Sequence, residues 1–331
     1  MPTDECPPDH AAATPGVCVI MPVRNEEHHL VEAVGSVLAQ DYEGVMQVVL
    51  AVGPSRDDTR ALAATLAGAD PRVRVVDNPS GRTPDGLNAA LEVSGQPVVV
   101  RVDGHGVLPG HYVRTAVNVL LRTGAANVGG VMRPEGTTAI QCAIAAAQRS
   151  RLGMGDAPFR VGGPEGAAES VFLGVFRREW IDRVGGFDPR YARAQDWEMN
   201  LRIRRAGGVV WFTPELEVTY RPRATLGSLA RQFYTTGRWR RRVVREYPRE
   251  LGLRYLVPPV TLVAVSVGAL GGLAYRPLAA LPLAYLGVVV VGGAAVGRGH
   301  PLPVRLRIPA ALVTMHLSWG AGFLVGDPEA R

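Results

Sequence analysis

The chain has 331 residues, a formal net charge of +6 and 47% hydrophobic residues. This length exceeds the roughly 200–250 residues of one large α/β domain, and the apolar residues are concentrated after residue 255. All basic residues other than histidine are arginine, and the three cysteines lie far apart, which argues against a disulfide framework or a paired-cysteine zinc site. We expect a cytosolic α/β domain followed by membrane segments.

Composition divides the chain into four parts. Residues 1–15 are polar and proline-rich and are expected to form a disordered leader, since they lack the apolar core of a signal peptide. Residues 16–223 have the composition of a soluble α/β domain. Residues 224–254 form a basic amphipathic segment, and residues 255–326 are predicted to hold about three transmembrane helices.

The α/β domain begins with regular alternation of strands and helices. A parallel, three-layer α/β sheet is predicted by this alternation. Asn25 and Ser55 are expected to cap the first two helices. The predicted strands of this part are Val17–Met21, Val45–Val52, Val73–Val76 and Val98–Val102.

The pattern loosens after the fourth strand. Residues 152–168 contain glycine and proline and show little periodicity, and a stretch of this length is typical of a loop that covers a substrate. Further helices are predicted near 111–121, 139–149 and 196–206, and further strands near 128–132, 171–176 and 209–213.

The fourth predicted strand ends in a carboxylate, a glycine and an imidazole. Glycines flank His105, which lets the backbone turn sharply past the strand. Asp103 and His105 would then lie at the carboxyl edge of the sheet, where open α/β sheets bind ligands. This pair of oxygen and nitrogen donors suits a divalent cation, Mn²⁺ or Mg²⁺, whereas a solvated Asp-Gly turn is the alternative.

A second carboxylate stands at the start of a later helix. Asp196 begins the helix predicted over 196–206, and the positive end of the helix dipole favours its ionised form. It is therefore a candidate general base. An ordinary helix-capping aspartate is the alternative.

Several motifs, in order, resemble the family 2 glycosyltransferases, which have the nucleotide-sugar-binding GT-A fold. Residues 19–27 resemble the family's first strand and loop beside the nucleotide. Asp103-Gly104-His105 resembles the Asp-x-Asp metal motif, with His in place of the second Asp. Residues 194–198 resemble the Glu-Asp motif of the catalytic helix, with Gln195 in place of Glu. More narrowly, with its apolar C-terminal part, the chain resembles the succinoglycan-type bacterial exopolysaccharide glycosyltransferases.

The resemblance implies a donor side and a metal bound by Asp103 and His105. Arg82 and Asp85, at the start of the third predicted helix, are implied to bind the nucleotide, and a surface turn is the alternative interpretation of these two residues. Residues 52–55 read Val-Gly-Pro-Ser where the family usually has Asp-Asp-Gly-Ser, so the contact with the base differs and the nucleotide is left unassigned. The donor-binding residues implied by the resemblance are Pro22, Arg24, Asn25, Glu26, Arg82, Asp85 and Asp103.

The resemblance also implies an acceptor or product side. Five residues separate Gln232 from Arg238, whereas the Gln-x-x-Arg-Trp motif of processive relatives has two. Trp239 is expected to stack on a sugar or nucleotide, or to lie at the membrane interface, where Trp is enriched. The acceptor-side residues are Gly174, Gln195, Glu198, Gln232, Arg238 and Trp239.

Residues 221–254 carry ten arginines against two glutamates. Nucleic-acid binding is one interpretation, but no nucleic-acid motif accompanies the cluster and apolar segments follow at once. We expect an interfacial helix against anionic lipid and no nucleic-acid partner.

Three apolar stretches, about 256–275, 277–297 and 308–325, approach the roughly 20 residues that cross a bilayer. Three arginines lie between the second and third stretches and one between the first and second. The positive-inside rule then predicts a multi-pass membrane protein with a cytoplasmic catalytic domain and an external C-terminus.

These features predict a membrane-anchored, metal-dependent, inverting glycosyltransferase. It would move a sugar from a nucleoside-diphosphate sugar to a lipid-linked saccharide, a polyprenyl phosphate or a polysaccharide in cell-envelope or exopolysaccharide biosynthesis. Asp196 would deprotonate the acceptor hydroxyl. One alternative is a processive polysaccharide synthase, for which three spans are few. Another is a catalytically inactive membrane scaffold, suggested by the altered base contact and by His105 and Gln195.

Overall fold

The computed structural model describes residues 14–250 and 252–326. Most of the expected leader, residues 1–13, lies outside the described residues. A single sheet runs through the domain. Its strands are β1 (Val17–Val23), β2 (Met46–Val52), β3 (Val73–Asp77), β4 (Val98–Arg101), β5 (Asn127–Pro134), β6 (Gly166–Ala167), β7 (Phe172–Arg177) and β8 (Val210–Tyr220), in the order β3-β2-β1-β4-β7-β5-β8-β6.

Helices alternate with the first strands and then dominate the C-terminal part. The helices of the α/β domain are α1 (Leu30–Leu38), α2 (Thr59–Ala69), α3 (Thr83–Glu92), α4 (Tyr112–Thr123), α5 (Ala139–Gln148), α6 (Arg151–Met154), α7 (Pro158–Val161), α8 (Arg178–Val184) and α9 (Gln195–Arg205). The later helices are α10 (Leu226–Glu246), α11 (Val257–Gly271), α12 (Ala280–Val296), α13 (Leu302–Arg305) and α14 (Ile308–Val325). Short 3₁₀ helices lie at Pro248–Glu250, Leu253–Tyr255 and Arg276–Ala279.

The four strands from which a parallel sheet was predicted are parallel to one another, but the later strands make the whole sheet mixed. β1 pairs in parallel with β2 and β4, and β2 with β3. However, β7 is antiparallel to both β4 and β5, and β6 is antiparallel to β8. Because β7 runs antiparallel to β5, it starts at the end of the sheet where β5 finishes, and the connecting chain, which includes β6, does not need the crossover of a parallel neighbour. The fold is therefore a mixed α/β sheet.

Helices cover both faces of the sheet, as predicted for three layers. On one face, Leu30 of α1 and Tyr112 of α4 are buried in one core cluster with the strands. On the other face, Leu87 of α3 and Met199 of α9 belong to a second cluster. Burial of apolar area on both faces, at about 25 cal/mol per Å², explains the continuous apolar runs of the central strands.

Two predicted helix caps are wrong. α1 begins only at Leu30, and Asn25 adopts a positive φ of 55°. The Asn25 side-chain oxygen instead accepts a hydrogen bond from the backbone N–H of Arg56 at 2.9 Å, and the Ser55 hydroxyl accepts one from the backbone N–H of Asn25 at 3.2 Å. These polar groups join the loops after β1 and β2, because both loops lie at the same edge of a parallel sheet.

The C-terminal part contains apolar helices that follow the basic segment. Three segments among the described residues, Leu253–Gly271, Arg276–Val296 and Leu302–Val325, are long and apolar enough to cross a membrane. The basic segment forms α10, whose apolar face includes Leu229 and Phe233 and packs in one cluster with α14.

Candidate active site

The loops that follow β1, β2 and β3 meet at the carboxyl edge of the sheet. Arg24, just after β1, links them, because its Nε donates to the carbonyl of Pro54 at 3.1 Å and its Nη1 reaches the carbonyl of Gly81 at 3.5 Å. Pro22 at the end of β1 lies against α3, since a Cβ on Gly86 would stand 3.3 Å from Pro22 Cβ. The donor-side residues after β1 are thus held in one connected surface.

Arg101, the last residue of β4, joins the two carboxylates that the sequence singled out. Its side chain is only 6% exposed. Nη2 contacts Asp103 Oδ1 at 2.6 Å, and Nη1 donates to Asp196 Oδ2. Asp103 and Asp196, which are far apart in the chain, are therefore brought to the two nitrogens of one guanidinium group.

Asp196 lies in the first turn of α9, which follows Ala194 in a left-handed conformation with φ 64°. Its Oδ1 atom is buried and has no hydrogen-bond partner in the part of the chain that the structure describes. Burial raises the pKa of Asp196; the charge of Arg101 acts in the opposite direction, and the charge of Asp103 adds to the rise. One oxygen of this carboxylate is thus oriented by Arg101, and the other is able to accept a proton from a ligand.

His105 and Glu26 form a second pair at the same edge. The Nδ1 atom of His105 lies 2.9 Å from Glu26 Oε1, and this hydrogen bond raises the pKa of His105, against the lowering effect of burial. Histidines that bind metals are commonly oriented through their other ring nitrogen by a carboxylate. Among residues 14–250 and 252–326, no group of three or more His, Cys, Asp or Glu side chains forms a complete metal cage.

Arg82 and Asp85 lie at the start of α3. Arg82 Nε contacts Asp85 Oδ2 at 3.0 Å, and the Ser80 hydroxyl donates to the same oxygen at 2.5 Å. Pro84 occupies the first turn of this helix, where a missing N–H costs nothing. The two predicted donor residues therefore pair with each other in a surface turn beside the loop after β3.

Gln195 and Glu198 occupy the first turn of α9, but they face the protein interior. The Glu198 side chain is 0% exposed and forms two contacts with Arg202, of 2.6 and 2.7 Å. Gly174 lies inside β7, where an added Cβ would stand 2.4 Å from the ring of Phe176. Glu198 and Gly174 thus occupy packing positions, which departs from the acceptor-side prediction.

The residues of α10 that resembled the Gln-x-x-Arg-Trp motif have separate partners. Gln232 donates to the hydroxyl of Tyr220 at 3.1 Å, and Arg238 donates to the carbonyl of Gly326 at 2.9 Å. Trp239 is 5% exposed and packs against Tyr191 in a cluster beneath α9. Its burial departs from both predicted locations, a sugar-stacking surface and the membrane interface.

Arg101 is the site residue that sequence reasoning missed. It falls within the run Val98–Val102, which was interpreted only as an apolar strand. An arginine inside a strand buried on both faces is a signal in itself, because a buried charge requires paired partners.

The fold and the site define a glycosyltransferase of the GT-A class. The Glycosyl transferase family 2 model matches residues 18–185, and the chain belongs to this family. It is 31% identical over 308 residues to the succinoglycan biosynthesis protein ExoA of Rhizobium meliloti (strain 1021), covering 92% of this chain and 93% of that protein.

The fold is similar to that of the mannosyltransferase PcManGT from Pyrobaculum calidifontis, solved in complex with GDP-Man and Mn²⁺. The TM-score is 0.59 at 20% identity, over 92% of this chain and 86% of that one. The expected α/β GT-A fold and glycosyltransferase class are confirmed.

Proposed function

We propose that the protein transfers a single sugar from a nucleoside-diphosphate sugar to an acceptor hydroxyl, with inversion at the sugar carbon. The observation that carries this proposal is the junction of Asp103 and Asp196 at Arg101, with Asp196 Oδ1 buried and without a partner among the described residues. A carboxylate oxygen held in this way is suited to take the proton of an acceptor hydroxyl. Attack by that hydroxyl from the face opposite the diphosphate inverts the carbon.

The donor would lie along the carboxyl edge of the sheet, where α/β folds bind nucleotides. Arg24 and Asn25 tie together the loops at this edge, and Arg82 at the start of α3 adds a cation near a helix N-terminus, which suits a diphosphate. The complex of the fold neighbour with GDP-Man supports a nucleotide-sugar donor.

Asp103 and His105 are the residues that would hold a divalent cation. The chemistry of this pair fits Mn²⁺, which accepts both oxygen and nitrogen ligands, and Glu26 already orients His105 through Nδ1, so that Nε2 is the nitrogen for the metal. When bound, such an ion offsets the negative charge of the leaving diphosphate. The Mn²⁺ in the fold neighbour supports this assignment.

The acceptor is proposed to be a lipid-linked saccharide or polyprenyl phosphate at the cytoplasmic membrane surface. The C-terminal helices expose large apolar side chains, among them Leu270 and Val291, each 72% exposed, and such exposed apolar surface requires a nonpolar environment. The role of the relative in succinoglycan biosynthesis supports a place in exopolysaccharide assembly. The arginine-rich connection between α12 and α14 supports a cytoplasmic catalytic domain.

The test uses membranes that contain the full chain, with Mn²⁺ and a panel of radiolabelled nucleotide sugars that includes UDP-glucose and GDP-mannose. We expect one donor to label an organic-extractable product by a single sugar, with inverted anomeric configuration by NMR. Asp196→Asn should lower transfer by about 10²–10⁴-fold, the usual contribution of a general base, and leave donor binding nearly unchanged.

Asp182→Asn is the matched control, because Asp182 is 60% exposed on α8 and pairs only with Arg178 on the same helix among the described residues. It should transfer at the wild-type rate. Wild-type transfer by Asp196→Asn, or retained configuration, would refute the mechanism. A long polymer as product would instead indicate a processive synthase, and loss of transfer with every donor would favour the inactive scaffold.

A further inference from the structure

We propose that Arg101 is a positioning residue for the general base: it fixes the carboxylate of Asp196 at a set distance from Asp103. This inference rests on the proposed function, and it assigns a role to a residue outside the family motifs described above. The guanidinium plane offers two nitrogens in a rigid fork, and each nitrogen contacts a different carboxylate.

The geometry leaves Arg101 little freedom. Arg101 is the last residue of β4, and its pairing with Ile20 of β1 fixes its backbone. Its side chain is 6% exposed. Burying this charge is tolerated because both partners are anionic. Asp196, by contrast, is 33% exposed and reaches the site from a helix that follows a loop. β4 therefore holds the guanidinium of Arg101 in place, and the ion pair with Arg101 in turn holds the carboxylate of Asp196 in place.

Removing the guanidinium of Arg101 should have opposite effects at its two partners: it should impair the general base Asp196 but not weaken metal binding at Asp103. Asp196 would lose the contact that orients Oδ2, so the alignment of Oδ1 with an acceptor hydroxyl would be lost; misplacement by about 1 Å can cost on the order of 100-fold in rate. Asp103 would lose a competing cation at 2.6 Å, so a metal ion at Asp103 would bind at least as tightly as before. A general collapse of the site would weaken both.

The experiment compares Arg101→Gln and Arg101→Lys with the wild-type full chain. Mn²⁺ binding is measured by electron paramagnetic resonance with the metal alone, and kcat and donor KM are measured with the donor selected by the panel. We expect kcat to fall about 100-fold in Arg101→Gln and less in Arg101→Lys, because lysine keeps the charge but not the fork. Donor KM and Mn²⁺ affinity should be unchanged or improved.

Arg177→Gln is the matched control. Arg177 pairs with Val98 at the opposite end of β4 and donates to the carbonyls of Ala125 and Leu120, so its loss reports the effect of removing a partly buried arginine far from the site. Wild-type kcat in Arg101→Gln, or weaker Mn²⁺ binding that matches the fall in kcat, would overturn the positioning role. Asp196→Asn assayed in parallel distinguishes this failure from failure of the proposed function.

A second inference concerns α14, and it rests on the proposed membrane anchoring. The apolar window that contains α14 is 44% buried, against 11% for the windows of α11 and α12. The surroundings of α14 are therefore largely protein, whereas α11 and α12 form an exposed apolar hairpin.

Both ends of α14 touch the base of this hairpin. Near its start, Pro309 packs 3.0 Å from the Cβ position of Gly293, close to the end of α12. Near its end, the Cβ position of Gly320 lies 2.5 Å from the carbonyl oxygen of Pro258, in the first turn of α11. A hairpin enters and leaves the bilayer on one side, so a helix that contacts both points crosses its base.

The middle of α14 contacts the α/β domain as well as the hairpin. His316 Nε2 is 2.8 Å from the carbonyl of Leu152 in α6. The side chain of that same Leu152 packs 2.5 Å from the Cβ position of Gly292, again near the end of α12. His316 Nδ1 also lies 3.2 Å from the Tyr285 hydroxyl, farther along α12. The start, middle and end of α14 nevertheless each contact either the domain or the hairpin close to its base, as expected for a helix that crosses the base obliquely.

The partner of α14 on the other side is the arginine-rich α10. The two helices are in backbone contact, since the Cβ position of Gly322 lies 1.9 Å from the carbonyl oxygen of Tyr234 and that of Gly237 lies 2.1 Å from the carbonyl oxygen of Trp319. Arg238 then reaches the carbonyl of Gly326 at the end of α14. Arginines are costly in the hydrocarbon core, so α10 and α14 together belong at the membrane surface.

We infer that α14 lies along the cytoplasmic face of the membrane, that α11 and α12 are the crossing helices, and that the C-terminus is on the same side as the catalytic domain. This differs from the three-span prediction, which puts the C-terminus outside. The test fuses alkaline phosphatase or green fluorescent protein after Arg331 and, separately, after Tyr275 between α11 and α12, in a Gram-negative host.

We expect the fusion after Arg331 to fluoresce and to lack phosphatase activity, and the fusion after Tyr275 to show the reverse. Phosphatase activity after Arg331 would overturn the inference and restore three spans. A cytoplasmic signal after Tyr275 would show that α11 does not cross, in which case the membrane anchoring itself fails.

Discussion

Glu198→Gln separates a structural role from an acceptor-binding role on the catalytic helix. Glu198 is fully buried and holds Arg202 through both carboxylate oxygens, while the Tyr247 hydroxyl donates to Oε1 at 3.3 Å. Glutamine preserves the shape but removes the charge, leaving a guanidinium whose Nη1 contacts only the carbonyl of Val184 among the described residues.

The cost follows from the burial of the pair. Breaking a buried ion pair by removing one partner costs about 3–5 kcal/mol, and because Arg202 is 21% exposed, partial hydration favours the lower end. A loss of about 3 kcal/mol corresponds to a fall of roughly 6–12 °C in the thermal midpoint for a domain of this size. The assay is thermal unfolding of the full chain in detergent, with acceptor KM measured in parallel.

Asp182→Asn provides the control for this measurement. Arg178 and Asp182 have the same i,i+4 spacing as Arg202 and Glu198, but Asp182 is 60% exposed, and an exposed helix pair is worth about 0.3–0.5 kcal/mol. A Glu198→Gln midpoint as close to wild type as that of Asp182→Asn, together with a raised acceptor KM, would refute the structural role.

Two further predictions concern the base and the helix crossing. Burial raises the pKa of Asp196, and transfer needs the ionised form of this carboxylate. We therefore expect kcat to fall with decreasing pH at a pH above the ordinary aspartate pKa of about 3.9. A pH–rate profile of the folded protein that stays flat down to the ordinary aspartate pKa would contradict this prediction. Gly322→Val should destabilise by at least about 1–3 kcal/mol through overpacking, since no space exists beside Tyr234, whereas Gly227→Ala on α10 meets open space and should melt like wild type.

Much of the fold follows from local pattern. The strand and helix alternation up to β4 is encoded in apolar runs and turn residues, because the periodicity of burial is written into each segment. The antiparallel entry of β7 is not, since the direction of a strand depends on where the preceding chain lies. Asn25 and Ser55 are a second case that local pattern does not predict. A residue that caps a helix and a residue that joins two loops have the same sequence signature, and the position of the neighbouring loop determines which role the side chain takes.

The candidate site divides in a similar way. Asp103 and Asp196 were predicted separately from a strand end and a helix start, and their positions at one sheet edge agree with that prediction. Glu198 and Trp239 were assigned from the family resemblance, yet both are buried: Glu198 pairs with Arg202 on its own helix, and Trp239 packs in one cluster with Trp197 and Leu201 of α9.

The sequence by itself determined the α/β alternation, the two acidic positions and the apolar C-terminal helices, since each depends on residues close together in the chain. The tertiary structure alone decided that Arg101 stands between Asp103 and Asp196 and that α14 packs against α10. Both arrangements depend on contacts between residues that are distant in the chain, and the free energy of those contacts exists only after the elements have packed.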